Sequence, residues 1–472
     1  MTKNKGLRRI LAALLSGAML AGLYPAGASA KEPRIIEPKQ AIQAGTALDL
    51  KDRSANRRDA RKAGDLPAAK PAYNNSDVVR VSVILDGAST LDKGYDAEDL
   101  TGNSAAVRYR ENLKKVQNDL TEKISKNILG GRKLDVVWNL TFAANLVSAN
   151  VEYGKIGRIK TMPGVKDVVI ETRYLPAVYQ READSPFMST ANPMVGAPAA
   201  WASDYTGAGS IIAVIDTGID LGHQSFDSAA FDYALGRIEE SGKTVDLLTA
   251  DEVTAAWDSL NASRLEKTDP ALAYRTSKIP FAVNYVDGNM EVTHTGDREG
   301  EHGSHVAGIA AANKYVPDGN GGFENALEAV RTQGEAPDAQ ILVMKVFGQG
   351  GGAYDSDYMA AVEDALILGA DVVNLSLGSS ATGYASNDEY AATLDRLAES
   401  NVVWAGSAGN SGSWGDEAVL GSLYGAGYLY GDIVCPICGI RDLGPAELVR
   451  QTRLLVYLGH LMIDRVVFIF LC

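Results

Sequence analysis

From position 78 the chain alternates apolar and polar residues, and Val79, Val81, Val83 and Leu85 share one face of a predicted half-buried strand. Leu113, Val116, Leu120 and Ile124 then recur at helical spacing. Further apolar runs predict strands over residues 134–142, 146–151 and 165–170, with a short helix around Ile156 and Ile159. The order β-α-β-β-α-β is the split ferredoxin-like arrangement, a small α+β unit. It holds no reactive cluster, so its expected job is to bind another part of the protein.

Beyond about residue 192 the pattern changes. Apolar strand runs at 211–215, 341–347, 372–377 and 402–405 alternate with helical stretches at 302–313, 357–368 and 389–399. That alternation predicts the α/β class, a mostly parallel sheet with helices on both faces. In such sheets ligands gather at the carboxyl ends of the strands, where the connecting loops converge.

The termini read differently from the middle. Lys3, Lys5, Arg8 and Arg9 precede an apolar run over residues 10–23 and a small-residue site at Ala28-Ser29-Ala30, the pattern of a signal peptide spanning residues 1–30. Residues 31–77 are rich in Lys, Arg, Asp, Ala and Pro and read as a solvated linker. Export predicts a secreted or cell-envelope protein. Lys+Arg 45 against Asp+Glu 59 gives a net charge of −14, which argues against nucleic acid as a partner. Residues 31–434 contain no cysteine, whereas Cys435, Cys438 and Cys472 crowd into the end of the chain. The Cys435–Cys438 spacing alone could be half of a zinc or redox site, but no second ligand pair and no thioredoxin-like context accompany it. The apolar residues 454–472 are interrupted by His460, Asp464 and Arg465, so no convincing membrane span is expected after signal removal.

Three clusters carry chemistry. The strand at 211–215 runs into Asp216-Thr217-Gly218, which places a carboxylate at the end of a buried strand. Such a charge needs a partner. His302 opens the stretch His302-Gly303-Ser304-His305-Val306-Ala307-Gly308, whose small residues let a helix pack closely on a sheet. A zinc reading of His302 and His305 is set aside because no third ligand is evident, and no metal site is assigned. Paired with Asp216, His302 would have its tautomer fixed and its imidazolium stabilised, as a general base requires. Asn410 closes a strand and glycine-bearing loop, Ala405-Gly406-Ser407-Ala408-Gly409-Asn410, and is the natural oxyanion donor.

Through Val214-Ile215-Asp216-Thr217-Gly218-Ile219-Asp220, His302-Gly303-Ser304-His305-Val306-Ala307-Gly308 and Ala408-Gly409-Asn410, the sequence resembles the subtilisin-like serine peptidases, over about residues 192–432. Ala336-Pro337-Asp338-Ala339 and Asn374-Leu375-Ser376-Leu377-Gly378 support the likeness. The long spacing from Asp216 to His302 is most similar to the large cell-envelope subtilases of the lactocepin and C5a-peptidase type. The resemblance implies a secreted serine endopeptidase acting on protein or peptide substrates. In it Asp216 orients His302, His302 is the general base and acid, and Asn410 donates to the oxyanion. Ser376, Leu377 and Gly378 would pair with extended substrate as an added strand. The unit at 78–178 would be an inhibitory propeptide, which makes the protein a zymogen whose partner is its own propeptide, cut between residues 177 and 192.

The sequence also departs from the family. No Gly-Thr-Ser-Met-Ala-like motif supplies a nucleophile, and Ser411, Ser413 and Ser422 lack that context. The likeness stops near Asp432, leaving the subtilisin-like sheet at 192–432 incomplete and residues 433–472 as a foreign tail. A frameshift or premature end in the coding sequence accounts together for the missing motif, the clustered cysteines and the sudden boundary. The expectation is a catalytically incomplete, inactive chain, the alternative being a relic that binds peptides without cleaving them. No organic cofactor is expected. Calcium is compatible with the class but has no assigned site, since His223-Gln224-Ser225 stands where the family often has an acidic ligand.

Overall fold

The computed structural model describes residues 73–176, 188–265, 267–294, 297, 300–378, 390, 392–394 and 402–406. All of them lie in one compact unit that begins at Tyr73. The signal at 1–30, most of the linker, the junction at 177–187, Asn410, the three cysteines and the tail at 433–472 lie outside the described residues.

The amino-terminal part is built from β1 (Val78–Leu85), α1 (Ser104–Asn127), β2 (Asp135–Leu140), β3 (Leu146–Glu152), α2 (Ile156–Lys160) and β4 (Val165–Ile170). The strands form one antiparallel sheet in the order β2-β3-β1-β4, with helices following β1 and β3. This is the α+β arrangement expected from the pattern. Val79, Val81, Val83 and Leu85 pack with Leu120, Ile124, Val147 and Val151. Asn103 starts α1 by accepting from the backbone N–H groups of Ala105 and Ala106. One helical expectation fails: Val116 is 43% exposed and Gln117 takes the inward position. Its Nε2 donates to the Leu140 carbonyl at 2.7 Å and to Asn145 Oδ1 at 3.1 Å, which satisfies the buried amide.

A short strand β5 (Arg173–Pro176) follows, and the parallel sheet then begins at β6 (Ile211–Asp216). Helix α3 (Ser228–Glu240), strand β7 (Phe281–Asn284), helix α4 (His302–Ala311) and the small hairpin β8 (Tyr315–Pro317) and β9 (Phe323–Asn325) come next. They lead to β10 (Gln340–Lys345), β11 (Ala353–Tyr354), α5 (Asp355–Ile367), β12 (Val372–Leu375), β13 (Leu377–Gly378) and β14 (Val403–Gly406). Five of these strands make a parallel sheet in the order β14-β12-β6-β10-β7. Its strands are apolar on both faces because helices cover both. Ile212 and Val214 join Val306, Ala307, Ala310 and Ala311 of α4 on one side. Ala213 and Ile215 join α5 on the other. The parallel α/β class is thus as the sequence predicts, with β7 and the short helices between residues 250 and 273 added to it. Of the predicted helix at 389–399, residues 390 and 392–394 are described and helical.

Candidate active site

Asp216 is the last residue of β6 and has no exposed surface. His302 is the first residue of α4, and its Nδ1 lies 2.8 Å from Asp216 Oδ1. An ionised carboxylate can only accept, so Nδ1 carries the proton and Nε2 remains the proton acceptor of the ring. Thr217 N donates to the same oxygen at 2.7 Å. Oδ2 is buried with no hydrogen-bond partner among the described residues.

The residues around the pair explain the motifs. Thr217 Oγ1 accepts from Gly303 N at 2.8 Å and donates to the Gly300 carbonyl at 3.2 Å, tying the end of β6 to the start of α4. Gly218 has φ +104°, and a Cβ there would stand 2.0 Å from the Val292 carbonyl oxygen. A Cβ at Gly303 would stand 2.2 Å from the Gly218 carbonyl oxygen. Both positions therefore require glycine to bring strand end and helix start together. Ser304 Oγ accepts from Asp220 N at 2.8 Å, a second tie between the two segments.

A charge the sequence reading passed over lies beside this pair. Lys345 ends β10 in register with Asp216 and is buried. Its ammonium donates to the Thr217 carbonyl at 2.5 Å and forms an ion pair with Asp297. A lone lysine closing the apolar run Ile341-Leu342-Val343-Met344-Lys345 was the available signal. His305, one turn along α4, has its pKa lowered chiefly by burial and next by the neighbouring His302. Among the described residues, no group of three or more His, Cys, Asp or Glu side chains gathers as a metal site. At the turn considered for calcium, His223 Nδ1 accepts from Ser225 N and Asp227 caps α3.

Ser376 is buried and bonded to Asn374, with Asn374 Nδ2 to Ser376 Oγ at 3.0 Å. Leu377 and Gly378 form β13, and this strand is paired: Leu377 with Pro176 and Gly378 with Leu175, antiparallel. On its other edge β5 pairs with β11, Tyr174 opposite Ala353 and Arg173 opposite Tyr354. The chain's own residues 173–176 thus sit as the middle strand between two edges of the α/β part. The sequence pattern gave no sign of β5, because four residues ending in proline carry too little alternation to read as a strand. Asn410 lies beyond β14, outside the described residues.

A histidine held by a buried aspartate at a strand end of an α/β sheet is an arrangement that can take up and release a proton at the free ring nitrogen. Residues 207–429 match the family model described as the Subtilase family. The chain is 30% identical over 290 residues to the PII-type proteinase of Lacticaseibacillus paracasei, a match covering 60% of this chain and 13% of that protein. It is 31% identical over 220 residues to the C5a peptidase of Streptococcus pyogenes serotype M3 (strain ATCC BAA-595 / MGAS315), covering 45% and 16%. The chain therefore spans only a minor part of the length of these relatives. Among solved structures it is similar to fervidolysin from Fervidobacterium pennivorans at 18% identity and a TM-score of 0.39, covering 72% of this chain and 41% of that one. Among the described residues no helix is long and apolar enough to cross a membrane.

Proposed function

We propose that the protein to which this sequence belongs is an exported serine endopeptidase made as a zymogen. The observation that carries the reading is the 2.8 Å contact between His302 Nδ1 and Asp216 Oδ1 at a strand end of the family-matched sheet. In this mechanism His302 Nε2 takes the proton of a serine hydroxyl as that oxygen attacks the scissile carbonyl, and Asp216 stabilises the imidazolium that forms. The imidazolium then protonates the leaving amine, and the Asn410 side chain donates to the oxyanion. Ser376, Leu377 and Gly378 hold substrate as an added strand. The pairing of Leu377 and Gly378 with the chain's own β5 supports both this role and that of residues 78–178 as an inhibitory propeptide. The signal-like residues 1–30 support a secreted or cell-envelope location.

Because Ser411, Ser413 and Ser422 lack the nucleophile context, this reading expects no peptide turnover from the chain as written. The test is hydrolysis of casein by the purified chain and by His302→Ala. No turnover by either is the expected result, and turnover by the parent chain that His302→Ala abolishes would show that a nucleophile is present after all. Turnover unaffected by His302→Ala would remove the assignment of the dyad itself. Translating the two other reading frames beyond the codon for Asp432 should reveal a Gly-Thr-Ser-Met-Ala-like motif. A form containing it should hydrolyse casein and lose that activity on Asp216→Ala.

A further inference from the structure

Asp216 reaches His302 through one oxygen, and the backbone of the next residue holds that oxygen, Thr217 N donating to it at 2.7 Å. Where the carboxylate points therefore depends on how the turn at Thr217 and Gly218 is held. On one side the Thr217 hydroxyl ties the turn to α4 by accepting from Gly303 N at 2.8 Å. On the other side the turn rests on the end of β10. Val346 N donates to the Asp216 carbonyl at 2.9 Å, and the Lys345 ammonium donates to the Thr217 carbonyl at 2.5 Å. The Lys345 stem runs beneath the turn, since a Cβ at Gly218 would stand 3.2 Å from its Cδ. A buried ammonium is costly without a partner, and Asp297, buried on the segment that leads to His302, supplies one.

The proton transfer itself makes no use of this ion pair. A buried carbonyl that loses its donor bears the cost of its desolvation, so its peptide turns toward another donor. Here that peptide is the neighbour of the one whose N–H holds Asp216 Oδ1. We propose that Lys345 is a positioning residue of the dyad: through the Thr217 carbonyl it keeps the Asp216 carboxylate on His302 Nδ1, and Asp297 keeps the ammonium in place. The assignment rests on the reading of Asp216 and His302 as the working dyad. The other titratable groups around them are His305, one turn along α4, Glu301, which pairs with His294 at 3.1 Å, and Glu291, within reach of the Lys345 charge. A loosened Asp216 contact would support the imidazolium less and lower the pKa of His302, whereas loss of a nearby positive charge alone would raise it. The sign of the change thus separates positioning from a simple field effect.

The experiment titrates His302 in the full chain by NMR of its ring Cε1–H, the signal being identified by its loss in His302→Ala. In Lys345→Met the pKa of His302 should fall by about half a unit or more relative to the parent, and its Nδ1–H should exchange with water about tenfold faster or more. Lys345→Arg keeps a donor for the Thr217 carbonyl and should retain the parent values. Lys345→Met leaves Asp297 buried and unpaired, so Lys345→Met combined with Asp297→Asn provides a second chain without that burden, and it should show the same fall. A pKa that is unchanged or raised in the double variant, or an equal fall in Lys345→Arg, would overturn the proposal. The titration needs no nucleophile, so the two readings fail separately. An unchanged pKa beside casein hydrolysis by the serine-bearing form sinks the positioning role alone, and a lowered pKa without such hydrolysis sinks the peptidase and leaves Lys345 its role at His302.

Discussion

The two larger sheets among the described residues are held in opposite ways. The parallel sheet is apolar on both faces, and helices close it from both sides. The antiparallel sheet is apolar toward its own helices but turns Arg80, Ser82 and Ser148 to the amino-terminal end of α5. There Arg80 pairs with Asp357 at 3.1 Å, Trp138 Nε1 donates to Asp357 at 2.8 Å, and Glu171 accepts from Ser82 at 2.8 Å and from Ser356 at 2.8 Å. Glu363, in the middle of α5, accepts the backbone N–H groups of Phe142, Ala143 and Ala144 at 2.9, 2.7 and 3.3 Å. Ile84, Trp138, Leu140 and Phe142 add an apolar share to this contact. The difference matters because a surface joined largely by hydrogen bonds exchanges them for water on separation, whereas opening the parallel sheet exposes apolar area with no such replacement.

The sharpest way to break that contrast is to damage each sheet and see how far the damage spreads. Phe281→Ala hollows the fully buried edge of the parallel sheet and should cost about 3–5 kcal/mol. In urea unfolding followed by hydrogen exchange, both sheets should lose protection together. Glu363→Ala leaves three buried N–H groups without their acceptor and should cost about 3 kcal/mol. Here β1 and β3 should lose protection while β6 and β10 keep theirs, and equal losses in both sheets would refute the contrast.

A smaller effect comes from pH. Burial raises the pKa of Glu171 to about 7, with the negative charge of Asp357 adding to it and bonds from Ser148, Ser356 and Ser82 opposing it. Because the folded chain holds this proton more tightly than the unfolded one, the stability it confers is full below about pH 4.5. That stability is lost as pH rises to about 7. Glu171→Gln should therefore stabilise the chain relative to the parent by about 2–3 kcal/mol at pH 8 and hardly at all at pH 4. A pH-independent difference between the two melting curves would contradict this. Lys278 in the parallel-sheet part behaves oppositely. Burial lowers its pKa to about 7, so its contribution is present above about pH 10.5 and is lost as pH falls through 7. The smallest effect expected is at Asn103→Ala, where loss of the α1 cap should cost about 1 kcal/mol and leave the parallel sheet untouched in the same exchange measurement.

Much of this was legible in the residues. Alternation at Val79, Val81, Val83 and Leu85 marked a sheet with one apolar face, and unbroken runs such as Ile341-Leu342-Val343-Met344 marked strands covered on both. Asp216 and His302 were legible because the motif glycines, Gly218 and Gly303, are forced by backbone contacts that no other residue permits. Other features depend on partners distant in sequence. Gln117 is buried because Leu140 and Asn145 offer it acceptors, which helical periodicity does not encode. Lys345 is tolerated in the core because Asp297 and the Thr217 carbonyl meet it there. The strand at Arg173–Pro176 exists only because β11 and β13 provide edges on both sides, so no local pattern announces it.

The claim on which the functional account turns is that Asp216 holds His302 through Nδ1, and proton NMR of the full chain tests it directly. An imidazole N–H bonded to a buried carboxylate should resonate far downfield of the amide region. That signal should vanish in both His302→Ala and Asp216→Ala and persist in His305→Ala. Its absence from the parent chain, or its survival in Asp216→Ala, would contradict the account.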